Sequence, residues 1–383
     1  MVRLPDQLGE LAGLGATSAL LDRVASAALR DAGATVVDVE SVATGYPFTS
    51  IATGGLHRVT GTAALRDGRG ERRWSAFVKV VHHPRHWPLL DMMPPQVAAE
   101  MTELFPWKDE IEARRQVLPV LPAGLRVPDE YAVTDLGDDR VAWWMEDIDD
   151  DDDEWRDEDY ARAAHLLGRL AVHRRPGDPA GSAPFPPGFA VRKVVESRGA
   201  MLAGLLDDDA LWARPVVAGA FDATFRRDLR RAVGTLPDLL AEMDTLPTAL
   251  PHGDAAPVNL LRPRGEPGTV VAVDWGFRCQ LPLGYDLGQL VAGEVERGRG
   301  DPTRLPALLE VVEDAYVEGL AAEGLEVPHE TVHRGMICSS LGPRTLPGAL
   351  PVEDLDGPDT DQHAAYLRRR AGLGRWVLNL LLD

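Results

Sequence analysis

Residues 251–261 read Pro251-His252-Gly253-Asp254-Ala255-Ala256-Pro257-Val258-Asn259-Leu260-Leu261, and a turn later follows Val270-Val271-Ala272-Val273-Asp274-Trp275-Gly276. Leu260-Leu261 opens one apolar run and Val270 to Trp275 forms another. Between them, Arg262-Pro263-Arg264-Gly265-Glu266-Pro267-Gly268 is rich in turn formers, so the spacing predicts a hairpin. In an antiparallel pairing the start of the first run faces the end of the second. Asn259 and Asp274 then converge, with Asp254 on the loop just before them. Two oxygen ligands and a nearby carboxylate suit a magnesium–nucleotide site, because Mg²⁺ takes hard oxygen ligands and leaves room for phosphates and water.

The pattern His-x-Asp-x-x-x-x-Asn, followed by an Asp at the end of the next strand, resembles the catalytic and metal loops of eukaryotic-like kinases. Gly253 stands where protein kinases usually carry Arg, and Trp275 where they carry the Phe of Asp-Phe-Gly. His252-Gly253-Asp254 with Asn259, then Val273-Asp274-Trp275 and the later Gly284-Tyr285-Asp286-Leu287, is similar to the aminoglycoside phosphotransferase and choline-kinase-like family. The resemblance implies an α+β, protein-kinase-like, two-lobed fold. Its N-lobe would hold an antiparallel sheet with a helix, and its C-lobe would be mostly helical, around a cleft. It implies Mg²⁺ as cofactor, ATP (or GTP) as phosphoryl donor and a small-molecule hydroxyl as acceptor. By resemblance Asp254 is the base that takes the hydroxyl proton, and Asn259 and Asp274 hold the metal. His252 and Asp286 support the catalytic loop.

Upstream, Phe77-Val78-Lys79-Val80-Val81 sets one Lys in an apolar strand. Lysine occurs only at 79, 108 and 193, so 37 of the 40 basic residues are Arg. No Gly-Lys pair exists, which excludes a P-loop. The bland reading of Lys79 is an edge lysine snorkelling from a half-buried sheet; by resemblance it contacts the α- and β-phosphates. Its partner is then a Glu on the next helix. Glu112 fits best, in Glu112-Ala113-Arg114-Arg115-Gln116-Val117-Leu118, with Glu110 and Glu103 as alternatives. Met145-Glu146-Asp147-Ile148 resembles the hinge that lines the adenine pocket, so Met145, Glu146 and Ile148 join the nucleotide set. The phosphate-covering loop falls in 45–55, where Ser50 is the nucleotide-binding candidate and no Gly-x-Gly-x-x-Gly appears.

The periodicity predicts an N-terminal helix over 17–32, strands at 36–42, 57–65 and 74–81, and a turn at 67–70. Residues 84–106 match no motif and read as an insertion. A helix at 108–117 and strands at 131–136 and 140–145 complete an N-lobe of 1–147. The C-lobe, 148–383, carries helices near 159–173, 222–240, 285–297, 305–323, 330–340 and 362–382. Along the strand, alternation turns only one of Trp143 and Trp144 inward. His82, His83 and His86 have no matching Cys/His set and read as packing or surface residues. The acidic run 149–154 reads as a solvated loop or, more sharply, as a surface that attracts amines.

With 383 residues and 45% apolar composition the chain can bury two cores. Two cysteines give neither a disulfide framework nor zinc spacing, and the reading is a cytoplasmic protein without signal or spanning segment. A formal charge of −20 excludes a generic nucleic-acid-backbone binder. It serves solubility first and favours a cationic acceptor second. Two rivals remain. A nucleotide-binding pseudokinase that regulates a partner would lack a Lys, a base or a metal ligand, and none is missing here. A protein kinase is disfavoured by Gly253 and by the lack of Ala-Pro-Glu after Asp274.

Overall fold

Between residues 35 and 82 β-branched residues recur along three stretches, each long enough for a strand that buries one face. Strands Thr35–Ala43, Thr53–Ala64 and Glu71–His82 form an antiparallel meander. Strand Arg140–Met145 adds to the third of these, and Glu130–Gly137 closes the sheet at its far edge. The Lys79 strand is therefore central, with Lys79 opposite Leu56 on one side and Trp143 on the other. This computed structural model describes residues 9, 11–45, 50–66, 68, 70–93, 95–276, 278–355, 357–358 and 360–382. Residues 67 and 69 of the expected turn and the tip of the expected phosphate loop, 46–49, lie outside the described residues.

The chain divides into two compact units. One comprises Met1–Glu112 and Val127–Asp150, the other Ala113–Arg126 and Asp151–Asp383. The short stretch 113–126 goes with the second because strand Leu125–Arg126 pairs in parallel with Val270–Val271.

In the first unit helix Ser18–Leu29 starts at Thr17, whose side chain accepts a hydrogen bond from Leu20 N at 3.2 Å. Asp22 Oδ1 then accepts from Val36 N at 2.8 Å and ties the helix to the first strand. Leu20, Leu21, Val24, Ala25 and Leu29 bury one helix face against Val39, Val59, Trp74, Ala76, Val78 and Trp144. Each large aliphatic side chain so buried contributes roughly 1.5–3 kcal/mol. On the other face Trp143 packs with Val81, Ile111, Val141 and Met145. Both tryptophans are thus buried, at 3% and 0% exposure, and the expectation that only one turns inward is corrected. The alternation is real, but each face of the sheet has its own cover.

The second unit is mostly helical. Helices Asp157–Val172 and Leu305–Ala322 pack along each other, with Gly168 admitting the Tyr316 carbonyl. Helix Tyr285–Glu296 is buried along nearly its whole length and starts beneath the loop at 251–259. The segment 84–106 forms short turns and a helix, Pro95–Leu104. Among the described residues no helix is long and apolar enough to cross a membrane.

Candidate active site

The hairpin forms as the turn residues dictate. Leu260 pairs with Ala272 and Leu261 with Val271, and the ladder extends by a bond from Val273 N to Asn259 O of 2.9 Å. Asn259 and the strand end at Asp274 are therefore neighbours. Asp274 leaves the strand with φ 55°, a left-handed turn that only a minority of non-glycine residues adopt.

Asp254 meets Asn259 directly. Asn259 Nδ2 donates to Asp254 Oδ2 at 3.0 Å and to the Asp254 carbonyl at 2.8 Å. Both amide hydrogens are committed, so Oδ1 of Asn259 is left as an oxygen donor for a cation. Burial raises the Asp254 carboxyl above its ordinary range; the Arg344 guanidinium opposes this, while Asp274 and Glu296 add to it.

Three buried groups hold the loop below Asp254. Asp286 accepts from His252 N at 2.8 Å and from Gly253 N at 3.0 Å. Burial pushes Asp286 up to about 6, against the pull of those two N–H donors. His252 Nδ1 accepts from Asp254 N at 3.3 Å, and its ring lies 4.5 Å from that of Trp275. Burial lowers His252 to about 4, so it is neutral and acts as a spacer within the loop. The third group, Arg174, was not singled out from sequence. It is fully buried, donates to Pro251 O at 3.0 Å and sits 5.2 Å over the Trp275 ring. Nothing in His173-Arg174-Arg175 distinguishes it in the sequence from the surface arginines.

Gly253 explains the departure from the protein-kinase pattern. Its φ is 92°, and a Cβ there would lie 3.0 Å from the backbone carbon of Gly276. Gly276 in turn faces the Gly253 backbone at 2.7 Å from its own would-be Cβ, and its N donates to His252 O at 2.9 Å. The Asp254 loop and the Asp274 turn meet backbone to backbone, with no room for a side chain at Gly253 or Gly276.

In the first unit Lys79 is buried, and its Nζ lies 2.5 Å from Glu110 Oε2. This corrects the preference for Glu112. Two residues along a helix is a rotation of about 200°, so burying the Glu110 face leaves Glu112 on the exposed side. At the hinge Met145 is buried, and Glu146 is tied to Asp129 by two bonds, N to O at 2.9 Å and Oε2 from N at 3.1 Å. The Glu146 amide is thus occupied within the protein. Asp150 N donates to Ile148 O at 3.1 Å, and Ser50 Oγ accepts from Thr53 Oγ1 at 3.1 Å.

His82 and His86 stack at 5.9 Å, and among the described residues no three His, Cys, Asp or Glu side chains group to hold a metal. In the acidic run, Asp152, Asp153 and Glu154 are exposed, as a solvated loop requires. Within the second unit, Arg262 donates to the carbonyls of Asp151 and Asp153, Arg264 meets Asp152 and Arg304 meets Glu154. Buried Asp159 also accepts from Arg262, at 2.9 Å. This anchors the run to the residues just after Asn259. Arg344, a further residue without a sequence signal, donates to Asp254 Oδ1 at 3.2 Å.

No family model matches the sequence, and no curated protein matches it. Solved structures do match. An aminoglycoside phosphotransferase from Alicyclobacillus acidocaldarius is similar over 89% of this chain and 91% of its own, with TM-score 0.51 and 13% identity. A spectinomycin phosphotransferase crystallised with ADP and spectinomycin is similar over 94% and 98%, with TM-score 0.50 and 13% identity. The chain has the aminoglycoside-phosphotransferase fold. Within that fold the antiparallel sheet carries the Lys79–Glu110 pair, and the helical unit carries the loop, hairpin and brace.

Proposed function

We propose that this protein is a small-molecule kinase that transfers the γ-phosphoryl group of MgATP (or GTP) to a hydroxyl. The observation that carries the reading is the convergence of Asp254, Asn259 and Asp274 on one loop and hairpin, braced from below by Asp286. Asp254 accepts the proton of the hydroxyl as its oxygen attacks phosphorus and the bond to the β–γ bridging oxygen breaks. In a loose transition state positioning and charge neutralisation matter more than a strong base. Asn259 and Asp274 offer one amide oxygen and one exposed carboxylate. That fits a hydrated ion that completes its shell with phosphate oxygens. Mg²⁺ bound there would neutralise the charge that builds on the phosphates. Lys79, held by Glu110, would serve the α- and β-phosphates, with Ser50, Met145 and Ile148 around the nucleotide.

The acceptor we propose is an aminoglycoside, an amino sugar or a related antibiotic or metabolite. Asp274 and Glu296 add negative potential at Asp254 against the single Arg344 guanidinium, which supports an acceptor with a cationic group. The test is a transfer assay with γ-labelled ATP and Mg²⁺ across aminoglycosides, amino sugars and nucleoside antibiotics. A labelled product from the wild type and none from Asp254→Asn is the expected result. Transfer at the wild-type rate by Asp254→Asn would overturn the assignment of the base.

A further inference from the structure

The Asp254 carboxylate is held at both ends. Asn259 Nδ2 donates to Oδ2 at 3.0 Å, and Arg344 Nη2 donates to Oδ1 at 3.2 Å. Donors on two different oxygens fix the plane of the group, and each oxygen keeps further lone-pair capacity for an incoming hydroxyl. Asn259 is part of the loop motif. Arg344 comes from a different part of the chain, 90 residues further on.

Its setting is unusual. Arg344 is the penultimate residue of a nine-residue π-helical run, Ile337–Thr345, which contains Pro343. Such wide turns are rare, short and concentrated at functional sites. Every other residue of the run is buried, and Arg344 alone is partly accessible. The run is also wedged in place. A Cβ on Gly342 would sit 2.7 Å from Leu239 Cδ1, and one on Gly288 would meet Ser340 Oγ at 2.3 Å. The guanidinium therefore stands on a base without slack.

Helix Tyr285–Glu296 closes the circuit. Near its start Asp286 holds the amides of His252 and Gly253, and at its end Glu296 Oε2 lies 3.8 Å from Arg344 Nη1. One rigid helix thus sets both the loop that carries Asp254 and the partner of the arginine that grips it. Only one hydrogen bond from the guanidinium, to Asp254 Oδ1, is formed among the described residues.

We propose that Arg344 is a positioning residue that clamps the Asp254 carboxylate in the orientation needed to receive the acceptor's proton. The proposal rests on the reading of Asp254 as the base. It does not depend on the identity of the acceptor, because water can take its place.

The experiment measures MgATP hydrolysis by the full-length protein with water as acceptor, in the wild type, Arg344→Met, Arg344→Lys, Asp254→Asn and the Arg344→Met/Asp254→Asn double variant. Thermal unfolding by circular dichroism checks that each is folded. Arg344→Met is expected to lower kcat about 10²-fold, the scale of a misplacement of about 1 Å, with the KM for MgATP unchanged. Arg344→Lys, which keeps a cationic donor, should recover much of the loss. In the Asp254→Asn background Arg344→Met should have no further effect. A kcat for Arg344→Met equal to that of the wild type, beside an inactive Asp254→Asn, would overturn the positioning role alone. Equal losses in both backgrounds would also overturn it, since the arginine would then act elsewhere. Wild type and Asp254→Asn hydrolysing alike would instead remove the base, and the clamp with it. Should Arg344→Met fail to fold, Arg344→Gln replaces it in the same comparison.

Discussion

Lys79 in the sheet unit and Asp254 in the helical unit are both charged groups held by partners of their own unit, yet they are stabilised differently. Lys79 has a short, nearly buried pair with the Glu110 carboxylate, at 2.5 Å. Asp254 sits in a web that draws on the hairpin, the π-helical run and, through Asp286, helix Tyr285–Glu296. Losing one member of a buried pair is costly, because the other keeps its desolvation cost without its short counter-charge. A web shares the loss, so most single changes around Asp254 should bend the site before they unfold it.

The sharpest way to break this contrast is Asp254→Asn. Removing the base should lower turnover by roughly 10²–10⁴-fold, while the KM for MgATP and the unfolding temperature stay near wild type. A large fall in unfolding temperature would show the web to be structural first. Next comes Glu110→Ala, expected to cost about 3 kcal/mol of stability, as for one member of a buried pair, and to raise the KM for MgATP. Glu112→Ala, on the exposed face of the same helix, should stay within about 0.5 kcal/mol. The reverse order in denaturant titrations would return the lysine's partner to Glu112. Gly253→Ala follows, at about 1–3 kcal/mol for a strained left-handed backbone, with loss of turnover as the base loop and metal turn are pushed apart.

The smallest effect is a pH dependence at His333. A hydrogen bond to Glu313 at 2.6 Å raises the His333 pKa above its ordinary value of about 6.5. Protonation of His333 is thus favoured in the folded state. The stabilisation is complete below the unfolded value and is lost as pH rises through the higher folded one. Unfolding temperatures of wild type and Glu313→Gln should converge over that window. A constant gap would show that the pair does not titrate.

Much of this was legible because local chemistry wrote it. The hairpin register followed from a turn between two apolar runs, and it alone made Asn259 and Asp274 neighbours. The helical pattern at 108–117 located the partner of Lys79 to within two residues. It missed the face, because Glu110 and Glu112 differ only in rotation about an axis that tertiary packing fixes. The tryptophan pair was misjudged for a related reason. Alternation tells which residues share a face, but not that helix Ser18–Leu29 covers one face while Ile111 sits against the other. Arg174 and Arg344 were out of reach. In a chain with 37 arginines, a buried one carries no mark until the fold closes over it.

Helix Ser18–Leu29 has a consequence for synthesis. Its buried face includes Leu21, and the cluster it joins includes Trp144, about 120 residues later in the chain. At about 5–20 residues per second the ribosome needs roughly 6–25 s to supply that strand. For this interval the apolar face of the first helix waits without its full cover. The nascent chain is then exposed to chaperones and to wrong partners before the sheet unit can close.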